Sequence, residues 1–235
     1  MTPDELKAWR RAERERLVGE RERLAPESLE QWRRRIDRHL ERSFPGLASA
    51  TVAFCWPVRG EYDARPLTDR LRVRGAVTAL PVVVAPGQAL VFREWHPGVA
   101  LASGPLGIPY PPSSQPVAPT VALVPLNGWD DAGHRLGYGA GFFDRTLRGG
   151  DRTLRGGPSS PIAIGVGYEQ ARLATIHPQA WDVPMDWIVT ERGVYRRDPG
   201  GLVFLGGAPD PGQPSALASP VCYADEIDAD PSDDP

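Results

Sequence analysis

The run Val124-Pro-Leu-Asn-Gly-Trp-Asp-Asp-Ala-Gly-His-Arg-Leu-Gly-Tyr-Gly-Ala-Gly-Phe-Phe-Asp-Arg-Thr-Leu147 decides how the chain is read. Val121 to Leu126 is almost wholly apolar, as expected for a strand buried on both faces of a sheet. A helix is predicted to begin at about Phe142. Between them stand Gly137, Gly139 and Gly141. A strand, a glycine-rich turn and a helix in this order put unpaired backbone N–H groups and a positive helix end where an anion can sit. The glycines do not spell GxxxxGK[ST], and G-x-G-x-G differs from the dinucleotide fingerprint. Taken alone they fit a tight turn with left-handed residues better than an anion site. Charge of both signs adds to them. Arg135 precedes the turn and can fork onto phosphate oxygens. Asp144 follows it, and can join a magnesium–nucleotide complex or compensate the helix dipole.

The same alternation extends outward. Short β-branched runs at Thr51 to Trp56, Val77 to Val84, Ala89 to Glu94, Val121 to Leu126, Ile162 to Gly167 and Trp187 to Thr190 read as strands. Arg65 to Val73 reads as a helix between the first two. The class is α/β. Ahead of this pattern, Thr2-Pro3-Asp4-Glu5 reads as a capping box opening a helix from Pro3 to about Leu24. Pro26 restarts the chain, and Leu29, Trp32, Ile36 and Leu40 give an amphipathic second helix ending near Ser43. The dense Arg and Glu of both helices read as solvated faces with intrahelical ion pairs. Gly98 to Pro119 is read as a long surface loop.

Composition bounds the function. No window reaches the roughly 18 apolar residues of a membrane span, and charge begins at Asp4, so a cytoplasmic protein without a membrane partner is expected. Cys55 and Cys222 form no CxxC pair, which sets aside a cysteine zinc site. His39, His96, His134 and His177 have no metal spacing and are read as surface or loop residues. Of 27 basic residues only Lys7 is lysine. The net charge of -3 includes seven acids and no base from Ala208 onward, so the remainder carries +4. That excess suits phosphate-bearing small molecules and falls short of a nucleic-acid footprint. Twelve bases against ten acids through Pro45 argue in the same direction for the two N-terminal helices. Residues 1–207 are expected to form one domain, and 208–235 an acidic, disordered tail. Asp144-Arg-Thr-Leu-Arg-Gly-Gly150 recurs as Asp151-Arg-Thr-Leu-Arg-Gly-Gly157, read as a local duplication whose first copy carries the chemistry.

The window from Asp130 to Asp144 resembles the signature of the 5-formyltetrahydrofolate cyclo-ligase family, whose members are also called 5,10-methenyltetrahydrofolate synthetases. Other landmarks resemble it in the same order: Lys7-Ala-Trp-Arg-Arg11, Arg59-Gly-Glu61-Tyr-Asp63, Leu80-Pro81-Val82, Gly107-Ile-Pro-Tyr-Pro111 and Trp181-Asp-Val-Pro-Met-Asp186. The resemblance implies a three-layer α/β/α fold with a mostly parallel sheet, and ATP-dependent closure of 5-formyltetrahydrofolate to 5,10-methenyltetrahydrofolate. Lys7 and Arg135 would be catalytic. ATP would meet Lys7, Arg11, Arg135, Leu136, Gly137, Tyr138, Gly139, Ala140, Gly141, Phe142 and Phe143. The reduced folate would meet Trp56, Glu61 and Tyr138, and Asp144 and Asp186 would hold Mg2+. Lys7 and Arg11, at i and i+4, share a helix face on which an ammonium and a guanidinium can hold a polyphosphate. The chain departs from the family pattern at Phe143, commonly Tyr, at Ala140, usually Gly or basic, and at Tyr110, usually acidic or amide. A monomer is expected. Two other readings are a cyclo-ligase-like protein acting on a different small substrate, and a nucleotide-binding module without chemistry.

Overall fold

The computed structural model describes residues 1–104, 107–149 and 161–207. The second heptapeptide copy and the acidic tail lie outside these residues. Helix α1 (Pro3–Glu22) opens on the expected capping box, with Thr2 Oγ1 accepting from the Glu5 N–H and the Glu5 carboxylate accepting from the Thr2 N–H. Helix α2 (Pro26–Ser43) buries Ile36, Asp37, His39 and Leu40. Ion pairs of Arg16 with Glu13 and Glu20, and of Glu30 with Arg33 and Arg34, cover the outer faces of α1 and α2. His39 corrects the surface reading: it is buried, with Nε2 3.3 Å from the carbonyl oxygen of Glu191. Helical spacing sets it one residue before Leu40 on the inward stripe.

Strand β1 (Thr51–Ala53) leads to α3 (Arg65–Val73), β2 (Val77–Val82) and β3 (Val91–Glu94). The segment read as a long loop contains the small pair β4 (Ala102–Ser103) and β5 (Pro109–Tyr110). Then come β6 (Val121–Pro125), β7 (Gly128–Asp130), β8 (Arg135–Leu136), α4 (Phe142–Arg148), β9 (Ile162–Val166), β10 (Arg172–Leu173), β11 (Trp187–Val189), β12 (Val194–Asp198) and β13 (Gly201–Gly206). The main sheet runs β13-β12-β11-β9-β6-β1-β2-β3. From β11 to β2 neighbours are parallel; β3, β12 and β13 are antiparallel additions. The β12–β13 hairpin lies past the last expected strand, although Asp198-Pro-Gly-Gly201 carries a turn signal.

Strand alternation builds three layers. Val52, Leu80, Val121, Leu123, Ile164 and Val189 face a core completed by α2 and α3. Ala53, Ala79, Ala122, Val124, Ala163 and Ile188 face a second core with Leu17 of α1 and Leu147 of α4. The four alanines are in register across β2, β1, β6 and β9, so this face lets its covering elements approach closely. The chain leaves β1 for α3 on one face, and leaves β6 for α4 on the other. Adjacent parallel strands whose connections part in this way open a crevice at their carboxyl ends, the ligand position in open α/β sheets. Among the described residues, no helix is long and apolar enough to cross a membrane.

Candidate active site

The crevice between β1 and β6 gathers residues from three distant segments. After β1 the chain passes Cys55 and Trp56 and turns back through Arg59 and Gly60 to Glu61. After β6 it passes Asn127, forms the β7–β8 hairpin and enters the glycine turn. Glu61 is buried. Its Oε2 accepts from the Val58 N–H at 3.1 Å, and its Oε1 accepts from the Tyr138 hydroxyl at 2.9 Å. Two residues expected at the folate, one after each strand, are therefore in direct contact. Burial raises the Glu61 pKa, while the Val58 N–H, the Arg21 charge and Tyr138 oppose that rise. The phenol of Tyr138 is pushed up to about 12, by burial and by the Glu61 charge. A cavity of about 10 Å3, room for roughly one water, lies among Phe54, Cys55, Glu61, Tyr62 and Pro125. Trp56 is half-buried beside it in sequence, under the Arg65 guanidinium at 4.7 Å and edge-on to Trp95 at 5.8 Å.

A larger cleft, about 390 Å3, opens at the start of α1 between Thr2, Leu6, His177 and Gln179. Its walls carry no buried charge, whereas the crevice concentrates a carboxylate, a guanidinium and a phenol. The chemistry belongs to the crevice.

Helix α1 lies along this site. Arg21 donates to Asn127 Oδ1 at 3.0 Å and to the Tyr138 hydroxyl at 3.2 Å. Arg14 Nε donates to the Gly137 carbonyl at 2.6 Å. Arg10 pairs with Asp182 at 2.6 Å and donates to the His177 carbonyl. Lys7 is exposed. It precedes Arg14 by seven residues, two turns on the same face and about 10 Å along the axis, so it continues the stripe that reaches the glycine turn. Arg11 is 78% exposed and pairs with Glu15 at 2.9 Å. The structure thus brings Arg14 to the turn and leaves Arg11 outward. Arg14, Arg21 and Asn127 were not expected; the signal for Arg21 was an arginine on the inward stripe of Leu17 and Val18.

In the turn, Gly139 and Gly141 have φ of 96° and 65°, where a side chain is strained. A Cβ at Gly139 would also stand 3.2 Å from Arg14. No side chain caps α4, so its opening N–H groups have no acceptor of that kind. Arg145 donates to the Ala140 carbonyl at 2.6 Å and lies over Phe142 at 5.1 Å. Leu136 is in the core. Arg135 is buried, donates to the Val183 carbonyl at 3.0 Å, pairs with Asp144 at 3.0 Å and lies 5.8 Å over Phe143. The Val183 N–H donates to Asp144 Oδ1 at 3.0 Å. The opposite charges flanking the turn therefore meet each other, and both hold Val183, in the segment before Asp186. Asp186 Oδ2 accepts from the Ala163 N–H at 2.9 Å.

Among the described residues no three His, Cys, Asp or Glu side chains cluster as metal ligands. These residues form no all-protein cage. Asp144, with a side chain 20% exposed and one donor on each oxygen, keeps lone pairs for a magnesium ion held mainly by phosphates. Asp144 fits that kind of site.

The profile of the 5-formyltetrahydrofolate cyclo-ligase family matches residues 6–191. The chain belongs to that family. As a cyclo-ligase family member it is an enzyme of the ligase class, and the matched region spans every element from α1 to β11. The 5-formyltetrahydrofolate cyclo-ligase of Escherichia coli K12 is 29% identical over 187 residues, covering 76% of this chain and 99% of that protein. The Mycolicibacterium smegmatis cyclo-ligase is 32% identical over 158 residues, covering 63% of this chain and 77% of that one. The NMR structure of Aquifex aeolicus 5,10-methenyltetrahydrofolate synthetase superposes with a TM-score of 0.67 at 28% identity, over 80% of this chain and 93% of that chain. The Mycoplasma pneumoniae synthetase, at 18% identity and a TM-score of 0.61, over 77% of this chain and 98% of that chain, shares the fold. The hairpin β12–β13 lies beyond the matched family region.

Proposed function

We propose that this chain converts 5-formyltetrahydrofolate and ATP, with Mg2+, into 5,10-methenyltetrahydrofolate, ADP and phosphate. The reaction needs no protein nucleophile. The formyl oxygen attacks the γ-phosphorus, and the bond to the ADP oxygen breaks. N10 of the folate then attacks the activated carbon, its proton passes to solvent, the carbon–oxygen bond breaks and phosphate leaves. The protein's part is positioning and charge neutralisation.

The observation that carries the reading is the Arg21, Tyr138 and Glu61 contact in the β1–β6 crevice, at the edge of a glycine turn clamped by Arg14. Glu61 and Trp56 supply a carboxylate and an aromatic face for the pterin, with Tyr138 between them and the nucleotide. Lys7, Arg11 and the backbone from Gly137 to Gly141 meet the phosphates, with Leu136, Phe142 and Phe143 setting the turn's ends. Bound magnesium would neutralise phosphate charge and orient the transferred group. Arg135 and Asp144 neutralise each other in the free protein. A phosphate and its metal offer the same two charges, so Arg135 can turn to phosphate oxygens while Asp144 and Asp186 hold Mg2+. Residues 1–207 act as one domain, in a cytoplasmic monomer that uses neither nucleic acid nor membrane.

The test is methenyl absorbance from 5-formyltetrahydrofolate on adding ATP with and without Mg2+. Growth of the signal only with both supports the reading. ATP binding without any signal would favour a different small substrate.

A further inference from the structure

The side chain of Arg21 is 5% exposed, deeper than Arg10 at 18% on the same helix. A guanidinium in the interior needs its donors matched. Nε donates to the Arg59 carbonyl at 2.9 Å, on the loop after β1. Nη1 donates to Asn127 Oδ1 at 3.0 Å and to the Leu126 carbonyl at 3.5 Å, at the end of β6. Nη2 donates to the Tyr138 hydroxyl at 3.2 Å, in the glycine turn, and lies 4.0 Å from Glu61 Oε1. Three segments that form the two walls of the crevice meet on one side chain.

The direction of each bond follows from chemistry. A guanidinium only donates, so the Asn127 oxygen must face it, and the Tyr138 oxygen must accept. The Tyr138 proton is thereby left for Glu61 Oε1, the acceptor 2.9 Å away. We propose that Arg21 is a positioning residue of the cyclo-ligase site, orienting Tyr138 and Glu61 for the folate without touching the substrate. The inference rests on the folate reading of the crevice. Among the described residues, four ionisable groups face Glu61: Arg21 from α1, Tyr138 from the turn, Cys55 from the end of β1 and Tyr168 from beyond β9. Arg21 is the cation among them. Without it, burial acts on Glu61 against the Val58 N–H and Tyr138 alone, and its proton affinity rises.

The experiment is steady-state turnover of 5-formyltetrahydrofolate with MgATP by wild type, Arg21→Met and Arg21→Lys, from about pH 5 to pH 9. The KM for 5-formyltetrahydrofolate should rise about tenfold or more in both variants, with the KM for ATP within about twofold. The acid limb of kcat/KM for the folate should move up by about one pH unit in Arg21→Met and less in Arg21→Lys. An unchanged folate KM, an equal rise in both KM values, or activity falling only with the folded fraction at a fixed acid limb overturns the proposal. Should neither arginine variant fold, Asn127→Ser loosens the Nη1 anchor of Arg21 at a residue outside the substrate set and must raise the folate KM selectively; equal effects on both substrates overturn it. Failure of the cyclo-ligase reading is a separate result, seen as absence of methenyl absorbance in the wild type.

Discussion

The hydroxyl of Tyr138 donates to Oε1 of Glu61 across 2.9 Å, joining a residue inside the glycine turn to the carboxylate after β1. The stretch bounded by Gly137 and Gly139 is thus anchored at its middle to the opposite wall of the crevice. The two halves of the proposed chemistry share one hydrogen bond.

Tyr138→Phe keeps the ring and removes that bond. A hydrogen bond to a charged group contributes about 1.5 kcal/mol to the folded state, so Tyr138→Phe should lower stability by about that much, and the folate KM should rise about tenfold as Glu61 loses its orienting partner. Steady-state kinetics together with thermal unfolding checks both halves of the expectation.

Lys7 and Arg14 separate binding from structure. Lys7 is exposed, so Lys7→Ala should change stability by less than about 0.5 kcal/mol while weakening ATP binding at least tenfold. Arg14→Ala frees the Gly137 carbonyl and should weaken ATP binding and also lower stability by about 1 kcal/mol. Calorimetric titration with MgATP and urea unfolding give the two quantities. An Arg11→Ala variant compared in the same titration measures how far an outward side chain swings to the phosphates.

Arg135 and Asp144 form a largely buried pair, with side chains 5% and 20% exposed. Removing one partner strands the other, and Arg135→Met should destabilise the protein by about 3 kcal/mol in urea unfolding. Asp144→Asn retains an oxygen for the Val183 N–H but leaves the Arg135 charge unpaired, so it should also destabilise by about 3 kcal/mol, and it should raise the magnesium concentration needed for turnover. A variant that kept full magnesium-dependent activity would remove Asp144 from the proposed metal set.

Asp130 gives the acid response. Burial raises its pKa, but His134 and the N–H groups of Ile176 and His134 overcome that, and the folded state holds it below the ordinary carboxylate range. Such a group contributes stability that is complete above its unfolded pKa of about 4, and that is lost as pH falls through the lower folded value. Unfolding free energies of wild type and Asp130→Asn, followed from neutral pH downward, should converge as pH falls below about 4.

The sequence made the frame legible wherever one periodicity ruled. Helix α3 falls on Arg65–Val73 as expected, and each of the six expected strands appears, trimmed at its ends. Two-residue strands such as β4, β5, β8 and β10 carry no period and could not be seen. At the site, Glu61 and Tyr138 were named, and they touch. The arginines of α1 were harder. Arg10, Arg11, Arg14 and Arg21 look alike in sequence, and only packing decides that three turn inward while Arg11 pairs with Glu15. Arg135 and Asp144 were seen as two charges beside an anion site, but not as partners, because the β7–β8 hairpin that brings them together is too short to announce itself.

Helix α1 draws its contacts from far along the chain: Asn127, Gly137, Ile176, His177 and Asp182. During synthesis it emerges from the ribosome long before any of them exists. Arg59 meets Arg21 and Glu22 earlier in the chain, but the helix has its full set of contacts only once β6, the turn and the 176–182 segment are in place. The pocket is therefore completed at a late stage of folding, and a chain interrupted before residue 176 would hold most of its central strands without a working cleft.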